Sequence, residues 1–315
     1  DEATLIIGIG CRFDDRITGK LEAFTKGKTF VHMEIDPSEI NKIVATELPL
    51  PGDLKDTLQR SNVLLSSHRF SPWWQKIHRW KSRYGFLDFT INPENNKKFL
   101  SQPRIVKMLS DLTCGEAIVS SDVGRHQMWA ARFYRFKHPN SHLSSGGLGS
   151  MGYGMPAAMG AALGAPEREV WTINGDGGFM MNVQEMATLS EYNIPVKIAI
   201  MEDRALGMVR QWQNLLFKGN ISHSVFKNPD FVKLAKSFDI PAWRATNYTE
   251  AQKAIQAARK VDGPALITFE VDPDEHVYPM VPPNTALGNQ ALEDADLLEN
   301  KKKRYVEDDL LQGHT

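Results

Sequence analysis

The chain has 315 residues, of which 42% are hydrophobic and 24% are charged, a composition typical of a folded globular protein of about two domains. Its 37 Lys and Arg residues nearly balance its 38 Asp and Glu residues, and the formal net charge is −1. Bulk charge therefore argues against nucleic acid or a membrane surface as a partner. No apolar run approaches the roughly 18 residues of a transmembrane helix.

Cysteine usage and the first residues bear on where the protein resides. Cys11 and Cys114 are too few for a disulfide framework. We therefore expect a reducing compartment, the cytoplasm in a bacterium or the interior of an organelle in a eukaryote. The opening "DEATLIIGIG" resembles neither a signal peptide nor a Met start, so we expect it to come from the interior of a larger protein.

The first 102 residues contain two strand-like runs and one helix-like run. "TLIIGIG" (4–10) and "TFVHMEID" (29–36) are apolar, rich in β-branched residues and end at turn residues, so we predict two buried parallel strands. A helix is predicted to begin at "SPWW", where Ser71 can cap it and Pro72 can take its first position. Residues 82–102 are polar and irregular, and we interpret 71–102 as a linker helix and loop.

From Pro103 onward strands and helices alternate, which is typical of a parallel sheet with helices on both faces. The predicted strands are 116–124, 169–174, 195–201 and 264–272. The predicted helices are 103–112, 155–164, 182–192, 228–238 and 249–260. Thr249 and Gln252 have capping-box spacing at the start of the last helix. Ligands of such sheets bind beyond the carboxyl ends of the strands.

The segment "NGDGG" (174–178) puts an acid between glycines at one such strand end. Asp176 there could simply form an Asx turn, because Asp beside Gly is common in loops. The glycines, however, let a backbone approach a phosphate, and the following helix offers free N–H groups. Asp203 ends the next predicted strand and would lie beside Asp176. With the carbonyl of Ala205, the two carboxylates could hold Mg²⁺, whose other ligands would be diphosphate and water.

This arrangement resembles the thiamine diphosphate signature, in which an Asn on the next strand follows the Gly-Asp-Gly. Six motifs, in order and spacing, resemble the catalytic subunit of the acetohydroxyacid synthase (acetolactate synthase) family. They are "CRFDDRITGK", "DVGRHQMWAARFY", "LSSGGLGSMGYGMPAAMGAA", "NGDGGFMMNVQEMATL", "LGMVRQW" and "VYPMVPP". The resemblance runs through nearly the whole chain. It implies an α/β fold of parallel sheets flanked by helices, a thiamine diphosphate-binding fold preceded by part of a Rossmann-like middle domain.

The resemblance also implies a division into segments. Residues 1–70 would be the carboxyl-terminal half of the middle, FAD-contacting domain, and 71–102 the linker. Residues 103–275 would bind thiamine diphosphate and Mg²⁺, and 276–315 would be a tail. The glutamate that protonates the cofactor's pyrimidine ring belongs to the family's amino-terminal domain and acts across a dimer interface. We therefore expect a homodimer or higher oligomer, and a chain that is inactive or incomplete alone.

The activity implied is decarboxylation of pyruvate on thiamine diphosphate and ligation of the two-carbon unit to pyruvate or 2-oxobutyrate, in isoleucine and valine synthesis. FAD would be structural, and a small regulatory subunit is a candidate partner. Two alternatives remain open. One is another thiamine diphosphate-dependent decarboxylase or oxidase, which "RFDDR" together with "LGMVRQW" disfavours. The other is a non-catalytic module that binds thiamine diphosphate or a nucleotide.

Site residues follow from the resemblance alone. Those expected at the diphosphate end of the cofactor are Val123, Gly124, Arg125, His126, Gly175, Asp176, Gly177 and Gly178. Gly149 and Met151 would lie against the aminopyrimidine and thiazolium, with Met151 holding the cofactor bent. Met208, Val209 and Trp212 would form a mobile lid over the substrate. The alternatives are core packing for Met151, a surface position for His126, and an anchor for another subunit for Trp212.

The FAD site would draw on both domains. Its expected contacts are Arg12, Asp14, Arg16, Glu34, Asp53, Gly146 and Gly147. Arg16 is also expected near the substrate carboxylate, which a guanidinium can hold through two hydrogen bonds. The alternative for "RFDDR" is a solvated charge cluster. "GIGCRF" (8–13) is not by itself a dinucleotide fingerprint, because Phe13 stands where the third glycine belongs.

Three positions depart from the family pattern. Asp203 replaces the usual Asn but still offers a carboxylate oxygen to Mg²⁺. Gly178 replaces the usual Ser and removes a hydroxyl from the diphosphate site. Arg125 replaces the usual Gln and adds a charge beside the diphosphate, so we expect the changes at 125 and 178 to offset each other.

Overall fold

The computed structural model describes residues 2–67, 70–84 and 99–289. They form two compact units, the first from the residues up to 84 together with 278–289, and the second from 99–277. The predicted linker loop falls largely on 85–98 and most of the predicted tail on 290–315, both outside the described residues. The helix expected in the linker belongs to the first unit.

The first unit is built on three parallel strands in the order β1-β2-β3. The strands are β1 (Leu5–Ile9), β2 (Thr29–Glu34) and β3 (Leu48–Pro51). The helices are α1 (Asp15–Thr18), α2 (Leu21–Thr25), α3 (Leu54–Leu64) and α4 (Ser71–Tyr84). We predicted β1, β2 and α4 but neither β3 nor α3.

The prediction that both early strands are buried is correct for β2 and wrong for β1. Phe30 of β2 packs with Phe13, Phe24 and Val44 in a small aromatic core. β1 is an edge strand of the described sheet, and only the face that carries Ile6 reaches this core. The side chains on its other face, Leu5, Ile7 and Ile9, are about half exposed among the described residues.

The second unit is built on six parallel strands in the order β5-β4-β6-β7-β9-β8. They are β4 (Ile118–Ser121), β5 (His142–Ser144), β6 (Val170–Gly175), β7 (Val196–Glu202), β8 (Ala242–Ala245) and β9 (Ala265–Glu270). The helices are α5 (Gln102–Leu112), α6 (Arg125–Phe133), α7 (Gly154–Gly164), α8 (Asp176–Phe179), α9 (Glu185–Glu191), α10 (Gly207–Leu216), α11 (Phe231–Lys236) and α12 (Tyr248–Ala258). None of the described helices combines the length and apolar character needed to cross a bilayer.

Both faces of this sheet are covered, as predicted. Successive side chains of a strand point to opposite faces, so β7 contributes to two separate cores. Ala199 and Met201 pack with residues of α5, α6 and α12. Ile198 and Ile200 pack with residues of α7, α9 and α11. A largely apolar strand such as β7 is stable only with helices on both sides, which is why such a run predicts a buried parallel strand.

Several predicted boundaries differ from the structure. The strand predicted at 116–124 ends at Ser121, and α6 begins at Arg125. The predicted capping pair at Thr249 is wrong, because Asn247 caps α12 by accepting from the N–H of Glu250. The sequence "NYTE" offers the same spacing two residues earlier, and the carboxylate of Glu250 accepts from the N–H and the hydroxyl of Thr246, the residue before the cap. We did not predict β5, β8, α6 or α10.

Two glycines of α7 should respond oppositely to alanine. Gly160 is exposed, and an added Cβ would meet no atom within 4 Å, so Gly160→Ala should stabilise the protein by about 0.5–1 kcal/mol. At Gly154 the Cβ would lie 2.5 Å from Asn174 Oδ1 and 3.0 Å from the backbone N of Asp122, so Gly154→Ala should cost about 1–3 kcal/mol. Urea unfolding of both variants measures the difference. Equal destabilisation by both would contradict this packing.

Candidate functional site

Three acids follow three neighbouring strands of the six-stranded sheet. Asp122 follows β4, Asp176 follows β6 and Asp203 follows β7, and these strands are adjacent in the order β4-β6-β7. Carboxyl ends of parallel strands meet at one edge, so the predicted neighbourhood of Asp176 and Asp203 is confirmed. Asp122 was missed, although it lies near the end of the strand predicted at 116–124.

Asp176 is fully buried and is held from three sides. Its Oδ1 accepts from the N–H of Gly177 at 2.8 Å. Its Oδ2 accepts from the N–H of Arg204 at 2.6 Å and from the amide of Asn228 at 2.7 Å. Burial, and then the nearby charge of Asp203, raise the pKa of Asp176 well above its usual range. Two such carboxylates favour a cation between them.

The glycines beside Asp176, and Gly124 after β4, leave space that neighbouring side chains occupy. A Cβ on Gly175 would lie 2.8 Å from Cε1 of His126, and so would a Cβ on Gly124. A Cβ on Gly177 would lie 2.8 Å from Leu206. We interpreted these glycines as an approach for phosphate. The structure adds a second reason, because they also let the ends of β4, β6 and β7 close on each other.

His126 is a buried, neutral member of the site rather than a surface histidine. It is 5% exposed, and its Nε2 accepts from the N–H of Gly175 at 3.1 Å. Burial, and then the charge of Arg125, lower the pKa of His126 to about 3. The imidazole therefore joins the start of α6 to the end of β6 without adding charge.

Arg125 and Asp203 form a buried ion pair. Nη2 of Arg125 lies 2.5 Å from Oδ2 of Asp203, and the side chains are 1% and 8% exposed. Nη1 of Arg125 donates to the carbonyls of Pro273 and Glu275 at 3.0 and 2.9 Å. The charge of Arg125 is therefore balanced within the protein by Asp203, and the expected offset between Arg125 and Gly178 stays a prediction.

The donor set fits Mg²⁺. Asp176 and Asp203 offer carboxylate oxygens at adjacent strand ends, and Ala205 follows in the same loop with its N–H on Oδ1 of Asp203. The described residues contain no cluster of three or more His, Cys, Asp or Glu that could hold a metal alone. Mg²⁺ suits such a site, because it commonly takes one or two carboxylates and completes its shell with phosphate and water. The role of the Ala205 carbonyl stays a prediction.

A pocket opens at this sheet edge and gathers most of the predicted cofactor residues. Its predicted lining residues are Val123, Gly124, Arg125, His126, Met151, Gly175, Gly177, Gly178, Asp203 and Ala205. Its further lining residues are Gln102, Met201, Leu206 and Gly207. Asn228, which binds Asp176, was also missed. It lies 52 residues away in a loop with no local motif that indicates a site.

Met151 reaches the pocket from a turn that two polar side chains hold. Asp122 Oδ1 accepts from the N–H of Gly152 at 2.8 Å, and the amide of Asn182 donates to the carbonyl of Gly152 at 2.7 Å. Gly149 and Gly152 have φ of 66° and 89°, a region that favours glycine. The backbone of Met151 is therefore fixed between two constrained glycines. Its expected contact with the thiazolium stays a prediction.

The expected lid residues lie on α10, directly after Gly207. Met208 packs against the core beneath the helix, whereas Val209 is 45% exposed and Trp212 is half-buried. Gln211 fastens the helix by accepting from the N–H of Val277 at 3.0 Å. Trp212 follows Val209 by three residues and Met208 by four, so on the helix surface it adjoins both of them. The lining of the pocket described above reaches Gly207 but includes none of these three side chains, and their role as a lid stays a prediction.

In the first unit, the residues expected at FAD follow the strands. Arg12 and Asp14 follow β1 and pair at 2.8 Å, and Arg12 holds the pKa of Asp14 below its usual range. Glu34 ends β2, and Asp53 caps α3 after β3. All four therefore lie at one end of the sheet. Arg16 is largely exposed and pairs with Asp15.

The remaining FAD predictions have different outcomes. Gly146 and Gly147 belong to the second unit, and their part in an FAD site stays a prediction. Phe13, which breaks the dinucleotide fingerprint, is 2% exposed in the aromatic core. A Cβ on Gly8 would lie 2.5 Å from Phe13 Cζ, so packing accounts for this glycine.

Comparisons with known proteins agree with this geometry. Residues 122–269 match the family model of the thiamine pyrophosphate enzyme, C-terminal TPP binding domain, where thiamine pyrophosphate is another name for thiamine diphosphate. Residues 1–61 match the model of the thiamine pyrophosphate enzyme, central domain.

Curated relatives are similar over most of this chain. The chain is 40% identical over 307 residues to acetolactate synthase 1, chloroplastic, of Zea mays. It is 37% identical over 301 residues to the acetolactate synthase large subunit of Buchnera aphidicola subsp. Schlechtendalia chinensis. The identity is 40% over 293 residues to the probable acetolactate synthase large subunit of Methanocaldococcus jannaschii. These alignments cover 93%, 92% and 91% of this chain but 47%, 52% and 49% of the relatives.

The chain thus spans about half the length of the curated relatives it matches. The resemblance drawn from six motifs is confirmed, as is the α/β fold of parallel sheets flanked by helices. On both grounds, the chain belongs to the thiamine pyrophosphate enzyme family and carries its cofactor-binding C-terminal domain together with sequence of its central domain.

Proposed function

We propose that this chain is the carboxyl-terminal part of an acetolactate synthase-type carboligase. Such an enzyme decarboxylates pyruvate and joins the two-carbon unit to pyruvate or 2-oxobutyrate, in isoleucine and valine synthesis. The observation that carries the proposal is the buried pair Asp176 and Asp203 at adjacent strand ends, beside a pocket lined by the family's diphosphate-binding segment. Names of the relatives support the choice of reaction within the family.

The residues present fit thiamine diphosphate and Mg²⁺ in distinct roles. Asp176 and Asp203 would hold the metal, and the backbone between Gly175 and Gly178 would lie along the diphosphate. The bound cofactor would supply a nucleophilic carbon and an electron sink for decarboxylation. Met151, on its constrained turn, would support the cofactor from the side. Neutral His126 would keep the start of α6 against β6 while leaving the charge of the site unchanged.

Assembly and location follow the same proposal. Because the glutamate expected to activate the pyrimidine acts across a dimer interface in the family, the active unit would be a dimer or larger, and residues 1–315 alone would be inactive. A small regulatory subunit is a further proposed partner. The proposed compartment is the cytoplasm of a bacterium or a eukaryotic organelle. Light scattering on the full-length protein tests the oligomer, and a fully active monomer would contradict it.

The metal assignment predicts a loss of binding in Asp176→Asn of the full-length protein. The amide keeps the size of the side chain but removes the charge that would hold Mg²⁺, so Mg²⁺-dependent thiamine diphosphate affinity should fall by roughly 100-fold or more. Asp111→Asn, on the exposed side of α5, is the matched control and should bind normally. Fluorescence titration with thiamine diphosphate, with and without Mg²⁺, measures the effect. Normal Mg²⁺-dependent binding by Asp176→Asn would overturn the assignment.

We also propose that FAD is structural and bound near Arg12, Asp14, Glu34 and Asp53. The full-length protein should bind flavin, and the oxidised absorbance should persist during steady turnover with pyruvate. Charge reversal at Asp53, which caps α3 at the end of the first sheet, should lower flavin occupancy. Bleaching of one flavin per product formed would instead identify an oxidase.

Trp212 should influence the choice of the second 2-oxo acid. The two acceptors differ by one methylene, a difference worth about 1–3 kcal/mol in an apolar pocket. Trp212→Leu should leave pyruvate decarboxylation nearly intact and lower the preference for 2-oxobutyrate by about tenfold, or about 1.4 kcal/mol. Phe217→Leu, exposed at the end of the same helix, is the control. In a competition assay, an unchanged ratio of acetohydroxybutyrate to acetolactate would mean that Trp212 only packs the helix.

A further inference from the structure

Two departures from the family pattern meet in one contact. The resemblance implies Gln at position 125 and Asn at position 203, where this chain has Arg125 and Asp203. They come from different elements, the first residue of α6 and the loop after β7, and are 78 residues apart in sequence. Their ion pair at 2.5 Å is almost completely shielded from solvent. Removing only one partner of such a buried pair strongly destabilises the folded protein, because the remaining charge is left buried without a counter-charge.

The guanidinium of Arg125 is fixed at three points. Besides Asp203, it donates to the carbonyls of Pro273 and Glu275, which both follow β9. Among the described residues, its Nε has no hydrogen-bond partner, and it lies beside Gly207, where an added Cβ would come within 2.3 Å of it. Gly207 therefore leaves the space that the ion pair occupies. In turn, Asp203 Oδ1 accepts from the N–H of Ala205, so both carboxylate oxygens have fixed directions.

The net charge around the metal position explains why the pair is matched. The guanidinium of Arg125 offsets the carboxylate of Asp203, so the ion pair adds no net formal charge to the site. Neutral amides at positions 125 and 203 would also add none. Changing only position 125 would leave one additional negative charge, and changing only position 203 would leave one additional positive charge.

We propose that Arg125 is a positioning residue that presents Asp203 to the divalent cation, and that the two work at the cofactor site only as a pair. Without Arg125, Asp203 would face Asp176 with no counter-charge and with only the N–H of Ala205 to orient it. Without Asp203, the guanidinium would be buried unpaired and would repel the cation. The inference rests on the proposed function for its metal, whereas the coupling between the two residues can be measured without any ligand.

A double-mutant cycle in the full-length protein tests the pairing. The four proteins are the wild type, Arg125→Gln, Asp203→Asn and the double variant. Each single change should weaken Mg²⁺-dependent thiamine diphosphate binding by about 10–100-fold, the usual cost of losing a group that orients a metal ligand. The double variant should recover to within about threefold of the wild type, because its net charge is restored. Fluorescence titration at fixed thiamine diphosphate and varied Mg²⁺ gives the affinities.

The same four proteins without ligand report on the ion pair itself. Thermal unfolding should show both single variants less stable than the double variant, which a purely additive effect cannot give. Arg125→Lys keeps the charge but cannot reach three acceptors in a plane, so its metal affinity should lie between those of the wild type and Arg125→Gln. If a single variant does not fold while the double variant does, the coupling is equally established.

The possible outcomes distinguish failure of the Arg125–Asp203 pairing from failure of the proposed function. Additive losses in the cycle would overturn the pairing, as would failure of all three variants to fold. Tighter Mg²⁺ binding by Arg125→Gln would show that Arg125 competes with the cation for Asp203, the opposite of positioning. A wild type that binds no Mg²⁺ and thiamine diphosphate, but shows coupling in unfolding, would contradict the proposed function and leave the ion pair established.

Discussion

The site depends on two carboxylates that the fold forces together. β6 and β7 are adjacent parallel strands, and each is followed directly by an aspartate, Asp176 and Asp203. Burial removes the water that would solvate and screen these carboxylates. The pKa of Asp176 is raised by this burial and then by the nearby charge of Asp203. Arg125 offsets part of this repulsion, and a divalent cation would offset the rest. Relief of the repulsion between the two carboxylates would therefore contribute to the binding of a cation.

The glycines around these acids serve packing as much as binding. Gly124 and Gly175 leave room for His126, which ties α6 to β6, and Gly207 leaves room for Arg125. The strand ends can therefore approach closely enough for one pocket to contact all of them. Substituting any of these glycines would displace a side chain of the site before it affected a ligand. The motif around Asp176 thus specifies a packed junction as well as a phosphate loop.

Much of the fold could be predicted from the sequence because parallel strands buried on both faces are apolar runs, as in "VKIAIM" of β7. Shorter strands such as β5 and β8, and the edge strand β3 with its prolines, lack that signal. The exposed side of β1 could not be foreseen, because burial depends on what covers a sheet and not on the strand itself. The helix α6 was hidden by Gly124, which precedes it, and by the polar residues of its first turn, although its family motif was identified.

Site residues that directly follow strands could be predicted from the sequence. Contacts made by loops that are distant in sequence could not. Asp176 and Asp203 could be paired from strand order alone, and the resemblance supplied Arg125 and His126. That Arg125 binds Asp203 depends on the three-dimensional path of α6, which no local pattern encodes. Asn228 approaches Asp176 from a loop 52 residues away, and only the tertiary structure brings it there. Asp122 could have been found, because it follows β4 as the other acids follow their strands.

The location of the divalent cation tests the central claim most directly. The full-length protein crystallised with thiamine diphosphate and Mn²⁺, as an anomalous scatterer in place of Mg²⁺, would reveal the metal position without reference to activity. We expect a single strong peak between the carboxylates of Asp176 and Asp203, with both at bonding distance of about 2.0–2.2 Å and with diphosphate oxygens completing the shell. Bound thiamine diphosphate whose metal contacts neither carboxylate, or a metal held elsewhere in the second unit, would contradict the account.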